Sequence, residues 1–221
     1  MYRILNTLTL AALMATPAAA QLLGTIEANT TTKDIVRCMQ TTNDGLVLTA
    51  DGNMWALVYE RISTSNPGYL ELRYSTDQGA KWIDNNYQIL GGKVQTSSLA
   101  SMCLARNGNL IHLLWPAKTG KAGANAYYSA WYQAFDVSKK AFVGSPELIA
   151  DGYGANNQFY GYSIAETGEG HLVAAITGHR SGGLGLTGWS CGLWIKKKGA
   201  TSWPTNGIKV NTGSGEYVSR A

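Results

Sequence analysis

Apolar and polar positions alternate along this chain in short runs separated by glycine-rich turns, and the pattern recurs three times. Asp51-Gly52-Asn53, Arg106-Asn107-Gly108-Asn109 and Glu166-Thr167-Gly168-Glu169-Gly170 each lie between two apolar runs. Gly45–Ala50, Leu99–Ala105 and Gly161–Ala165 precede these turns, and Met54–Tyr59, Leu110–Trp115 and His171–Ile176 follow them. Short apolar runs on either side of a glycine turn predict three strand–turn–strand hairpins. Gly52 and Gly108 are 56 residues apart and Gly108 and Gly168 are 60 apart, so the spacing is close to periodic.

Each hairpin is followed by the same sequence of features. A polar, glycine-containing loop comes first (Ser63–Gly68, Lys118–Asn125, Ser181–Gly188), then an aromatic-rich run (Tyr69–Tyr74, Ala126–Phe135, Trp189–Lys196). A turn then leads to a fourth segment that begins near Trp82, Phe142 or Trp203. Four short antiparallel strands repeated at a near-constant period is the pattern of propeller blades. The predicted fold is therefore all-β: a β-propeller of four-stranded antiparallel blades, with about three blades present. Gly215–Ala221 reads as the opening strand of a fourth. Open blade edges invite aggregation, so the expectation is a fragment of a larger propeller or a chain that closes by association.

Composition adds a compartment. Residues 1–20 carry Arg3, an apolar run from Leu5 to Met14, and small residues at Ala18 and Ala20, the pattern of a signal peptide cleaved before Gln21. The run is too short to span a bilayer, so residues 21–221 are expected to be secreted or periplasmic, with no membrane span. The abundance of Gly (26), Tyr (12) and Trp (7), with only 14% charged residues, suits strands and turns rather than solvated helices. A net charge of +4 is too small to suggest nucleic acid, and Lys196-Lys197-Lys198 reads as a solvated turn. Cys38, Cys103 and Cys191 share no tight spacing and leave open which pair, if any, is bridged. His112, His171 and His179 lie far apart with no ligand pattern around them, so neither a metal nor another cofactor is implied.

One motif is specific. Ser75-Thr76-Asp77-Gln78-Gly79-Ala80-Lys81-Trp82 fits Ser-x-Asp-x-Gly-x-x-Trp, with Asp77 suited to accept turn amides, Gly79 to take a positive φ and Trp82 to pack beneath the hairpin. It resembles the Asp-box, or bacterial neuraminidase (BNR) repeat, and worn versions lie around Val137–Phe142 and Lys198–Trp203. The resemblance implies the sialidase superfamily of β-propellers, in which this motif is structural and lies away from the active site. It also makes Arg61, after Leu57-Val58-Tyr59-Glu60, look like a substrate-site arginine. The chain departs from the family in two places. Asn66 stands where the loop aspartate acid/base is expected, and Gln40-Thr41-Thr42-Asn43-Asp44 replaces an Arg-Ile-Pro motif, with Arg37 the nearest arginine. An amide cannot shuttle a proton in that role.

Two other letter matches lack their structural context. Gly188-Trp189-Ser190-Cys191-Gly192 has the hydrolase-elbow spacing but begins a strand rather than a strand-to-helix turn. Gly183-Leu184-Gly185-Leu186-Thr187-Gly188 has the dinucleotide spacing without a βαβ unit.

The repeats also mark a candidate binding face. Each second strand ends in a cation: Arg61, Lys118, and His179 with Arg180. Equivalent strand ends in a propeller share a rim, where such cations suit a sugar carboxylate or sulfate. Tyr153 and Tyr160, in the link Asp151–Tyr160, add rings for stacking on a sugar or for packing between blades. Two functions follow. One is a secreted glycoside hydrolase of sialidase type acting on acidic glycans. The other is a non-catalytic propeller that binds a glycan or a protein outside the cell.

Overall fold

A computed structural model describes residues 35–38, 45–61, 69–89, 100–118, 128–150, 158–180 and 188–210. The proposed leader, Asn66, Tyr153 and Gly215–Ala221 lie outside these residues. Every regular element described is a strand, thirteen in chain order. They are β1 Ile35–Cys38, β2 Leu46–Leu48, β3 Met54–Arg61, β4 Tyr69–Ser75, β5 Ile83–Gln88, β6 Ser101–Leu104 and β7 Leu110–Lys118. β8 Tyr128–Asp136, β9 Ala141–Ala150, β10 Gln158–Glu166, β11 Leu172–Arg180, β12 Gly188–Lys196 and β13 Ile208–Lys209 complete the set.

The strands form three antiparallel sheets, each a meander in which chain neighbours pair: β6-β7-β8-β9, β10-β11-β12-β13, and a first sheet running from β1 and β2 through β3 and β4 to β5. β1 and β2 share one edge of β3, β1 opposite Val58–Arg61 and β2 opposite Met54–Ala56, so together they fill one rank. The sequence pattern identified β2 and missed β1.

The three hairpins close on matching pairs. The amides of Thr49, Ala105 and Thr167 donate to the carbonyls of Asn53, Leu110 and His171 at 2.9, 2.7 and 2.8 Å. The turns need a left-handed residue, and glycine supplies it at Gly52, Gly108 and Gly170, with φ of 82°, 73° and 83°. The third turn glycine is thus Gly170, whereas the sequence pattern had counted from Gly168. The amide of Gly170 closes the turn onto the Thr167 carbonyl at 2.9 Å, as Gly52 does onto Thr49 and Gly108 onto Ala105.

Burial on both faces locks the sheets together. Trp55, Leu57 and Leu72 from the first sheet pack against Ile111, Leu113 and Trp115 from the second. The opposite face of the second sheet, with Leu114, Tyr132 and Ala134, packs against Ile164, Ala174 and Trp194 of the third. The second sheet is therefore the middle layer. Strict alternation along β7 feeds both interfaces, since successive side chains point to opposite faces. Each aliphatic side chain buried this way contributes about 1.5–3 kcal/mol. Aromatic rings fill the widest gaps: Trp55 stacks on Tyr74 at 4.9 Å between centroids, and Tyr132 meets Trp203 edge-on at 5.2 Å.

Candidate functional site

The two ends of the sheets differ. One carries the tight turns at Gly52, Gly79, Gly108, Gly170 and Gly199, all with positive φ. Neighbouring sheets are tied together at this end. The Arg106 amide donates to Glu166 Oε2 at 2.6 Å, and Lys140 Nζ reaches the Tyr74 hydroxyl at 3.0 Å while lying 4.2 Å over its ring. The opposite end is where the second strand of each sheet runs out.

Those second strands end at Arg61, Lys118 and Arg180. Eight residues on from the closing carbonyls of Asn53, Leu110 and His171 stand Arg61, Lys118 and His179, on one equivalent rung, with Arg180 a residue beyond. At about 3.3 Å per residue this rung lies roughly 26 Å from the turns. Lys118 stands opposite Tyr128 and Arg180 opposite Gly188. Tyr160 lies at a bulge between Phe159 and Gly161, beside the pair Gln158–His179 at the same end. The fold thus brings the backbones of Arg61, Lys118, Arg180 and Tyr160 to one end of their sheets. The side chains of these four residues lie outside the described set.

The turn end has a different chemistry. Ser75 is buried, and its Oγ accepts the amides of Gly79 at 2.8 Å and Asp77 at 3.3 Å while donating to Asp77 Oδ1 at 2.7 Å. Asp77 Oδ1 also takes the Lys81 amide at 2.8 Å, and this hydrogen bond, with that from Ser75, holds the carboxyl below the usual aspartate range. Gly79 stands at φ 90°, and the half-buried Trp82 packs on Ala56 and Val58. The equivalent turn of the second sheet uses Asp136, which accepts the Lys139 amide at 2.9 Å and the Ser138 hydroxyl at 2.7 Å. Those bonds lower its carboxyl to about 2. In the third sheet Gly199, φ 80°, makes the turn ahead of the buried Trp203. These carboxylates accept the hydrogen bonds that hold their turns.

Between the second and third sheets, at the turn end, is an open cleft of about 190 Å³ bordered by His112, Glu166 and Lys196–Ala200. The sequence pattern gave no sign of it, because its residues are far apart in the chain and meet only when β7 and β12 come together. His112 Nδ1 lies 2.9 Å from the Tyr132 hydroxyl, and burial keeps the imidazole below its ordinary pKa and pushes the phenol well above its own. Both groups are therefore neutral at physiological pH. Lys196 Nζ, half-buried rather than solvated, donates to both oxygens of Glu147 at 2.8 and 3.0 Å. The Lys196–Glu147 pair joins β12 to β9 and so rivets the two sheets together.

The remaining sequence candidates resolve simply. Cys103 and Cys191 are half-buried, and burial raises the thiol of Cys191. Ser190 and Cys191 lie within β12, paired to Gly178 and Thr177 of β11, in the setting expected for a coincidental elbow motif. Among the described residues, no three of His, Cys, Asp and Glu come together as a metal site, and no helix is long and apolar enough to cross a membrane.

The described residues define an all-β protein of stacked antiparallel sheets, with a turn end built on carboxylate-capped hairpins and a cation-bearing end opposite. No family model matches the chain, and no curated protein matches it. Among solved structures it is similar to a protein of unknown function from Dyadobacter fermentans DSM 18053, with a TM-score of 0.50 and 16% identity. The match covers 74% of this chain and 49% of that one, so the chain spans about half the length of that structure. The likeness concerns the fold alone.

Proposed function

We propose that this chain belongs to a secreted, propeller-type protein of sialidase-like build that engages acidic glycans at the cation-bearing end. In this reading each sheet is one blade. One observation carries the proposal: three strands in three sheets bring Arg61, Lys118 and His179 to one rung at the same end, with Arg180 closing β11 one residue beyond. A rung of cations at the end opposite the tight turns suits a carboxylate or sulfate, and arginine can bind either in bidentate fashion. Tyr160, at the bulge beside this rung, adds an aromatic surface of the kind that stacks on a sugar ring.

The resemblance of Ser75–Trp82 to the Asp-box favours a second reading, in which the same end is the active site of a sialidase-type glycoside hydrolase. The two readings separate in one experiment. Purified protein is titrated calorimetrically with a sialylated oligosaccharide and its neutral core, and in parallel is offered a fluorogenic sialoside. Binding of the acidic glycan alone, lost in Arg61→Ala, without release of fluorophore supports the binding role; turnover supports the hydrolase. Equal affinity of wild type and Arg61→Ala sinks both assignments for that residue.

A further inference from the structure

The contact between the second and third sheets encloses an imidazole. His112 lies on the side of β7 that carries Leu114, the side packed on the third sheet, and is only 6% exposed. Around it the two sheets meet through Leu114, Ile164, Ala174 and Trp194. Hydrogen bonds cross the same joint: the Ile164 amide donates to Ser101 Oγ at 3.2 Å and the Arg106 amide to Glu166 Oε2 at 2.6 Å. Lys196 crosses in the other direction, to Glu147. Titratable groups face His112 from each element around it. Tyr132 on β8 bonds its Nδ1 at 2.9 Å, and Cys103 stands opposite it across β6. Glu166 on β10, Lys196 on β12, and Lys197 and Lys198 beyond it border the cleft that His112 borders. His171, at the start of β11, accepts the Lys198 amide at 2.9 Å and lies 3.1 Å from Glu169.

This setting suits a neutral ring and not a charged one. A neutral imidazole has one donor and one acceptor nitrogen, and the Tyr132 hydroxyl can serve either. An imidazolium donates from both nitrogens. Its second proton would enter a cleft bordered by Lys196, Lys197 and Lys198, where Glu166 already takes the Arg106 amide. We propose that His112 makes this joint a pH-sensitive switch: taking up a proton loosens the second sheet from the third, while the hairpins within each sheet stay closed. Burial, the largest influence, and the Lys196 ammonium both oppose protonation of the closed form, and Glu166 opposes them without prevailing. With the joint open, the ring meets water and titrates near its ordinary value of about 6.5. The closed form is therefore favoured in full above about pH 6.5 and loses ground as pH falls below it. One proton changes the opening equilibrium by at most about tenfold per pH unit. The turn carboxyls respond only further down, below about pH 4, so the two effects occupy separate windows. The proposal rests on the sheet contact and is independent of the glycan reading.

Amide hydrogen exchange, corrected for the intrinsic pH dependence of the exchange rate, tests it. Between about pH 7 and about pH 5, protection of the Ile164 and Arg106 amides, which cross the joint, should fall about tenfold. The amides of Ala105 and Gly79, bonded within the second and first sheets, should keep theirs. His112→Gln retains a side chain able to bond Tyr132 but cannot titrate, and should abolish the fall. Constant protection at Ile164 and Arg106 overturns the proposal, and so does an equal fall at Ala105 and Gly79, which would mean global unfolding. A fall of wild-type size in His112→Gln overturns it as well, by assigning the proton to another group. Should that variant fail to fold, an NMR titration of the His112 ring in the wild type decides. A midpoint below about 6.5 is expected, and one at or above that value contradicts the proposal.

Discussion

Gly207→Ala adds one methyl group where the third sheet has no room for it. A Cβ at that position would stand 2.8 Å from Cε2 and Cζ2 of Trp194 and 2.9 Å from Cδ2. Carbon atoms prefer about 3.5–4.0 Å, so the ring or the 207 backbone must move by roughly 1 Å. Neither moves freely. Trp194 is 0% exposed in the core between the second and third sheets, and Gly207 directly precedes β13. Overpacking of this kind costs about 1–3 kcal/mol, and the reduced freedom of the unfolded alanine chain offsets about 0.4–1 kcal/mol of that. The net loss is about 1–2 kcal/mol, or about 2–8 °C in Tm for a chain of this size. The assay is thermal and urea unfolding followed by tryptophan fluorescence. Gly168→Ala serves as control: its Cβ would meet only the flexible Arg106 Nη1, at 3.3 Å, and stability should stay within about 0.5 kcal/mol of wild type. Trp194→Phe in the Gly207→Ala background should cost less than the sum of the two single changes, because they share one contact. Wild-type stability in Gly207→Ala, or an equal loss in Gly168→Ala, would refute the packing argument.

Three further outcomes follow from the same geometry. Ser75→Ala removes the acceptor of the buried Gly79 amide and should cost about 1–3 kcal/mol in denaturant unfolding; an unchanged midpoint would mean the turn does not depend on it. Arg73→Leu removes an ion-pair partner of the buried Glu71 and should destabilise by about 3–5 kcal/mol, while the double change Glu71→Leu with Arg73→Leu recovers much of the loss. A double variant as unstable as the single would contradict this. The carboxyls of Asp51, Asp77 and Asp136 sit below the usual aspartate value, Asp136 at about 2. Their stabilisation is complete above the unfolded value of about 3.9 and is lost as pH falls through the folded one. Stability should therefore drop from about pH 4 toward pH 2, and less steeply in Asp136→Asn; identical pH profiles would rule the effect out.

The alternation of apolar positions and the glycine turns carried most of the strand pattern, because both report directly on a two-residue period and on positive φ. β1 escaped notice because Ile35–Cys38 is four residues long with a central arginine, and it is a strand only through its pairing with Val58–Arg61. Gly168 and Gly170 lie two residues apart, and only the folded turn, with the positive φ of Gly170 and its hydrogen bond to Thr167, tells them apart. β9 runs through Gly144 and Pro146, both poor strand formers; bulges against β8 and a 2.7 Å bond from Gln133 Nε2 to the Gly144 carbonyl accommodate them. Lys196 read as solvent-facing because nothing local reveals Glu147, 49 residues away. The cation rung was legible because it recurs with the repeat, whereas the His112–Tyr132 and Lys196–Glu147 pairs appear once each and depend on how two sheets meet.

The most direct test of the account is an amide shift map. Isotope-labelled protein is titrated with a sialylated oligosaccharide and, separately, with its neutral core. The account predicts shifts for the acidic glycan that centre on Arg61, Lys118, Tyr160 and Arg180, with Gly52, Gly79, Gly108, Gly170 and Gly199 at the other end unmoved. Shifts centred on those five glycines, or equal shifts with the neutral sugar, would contradict it.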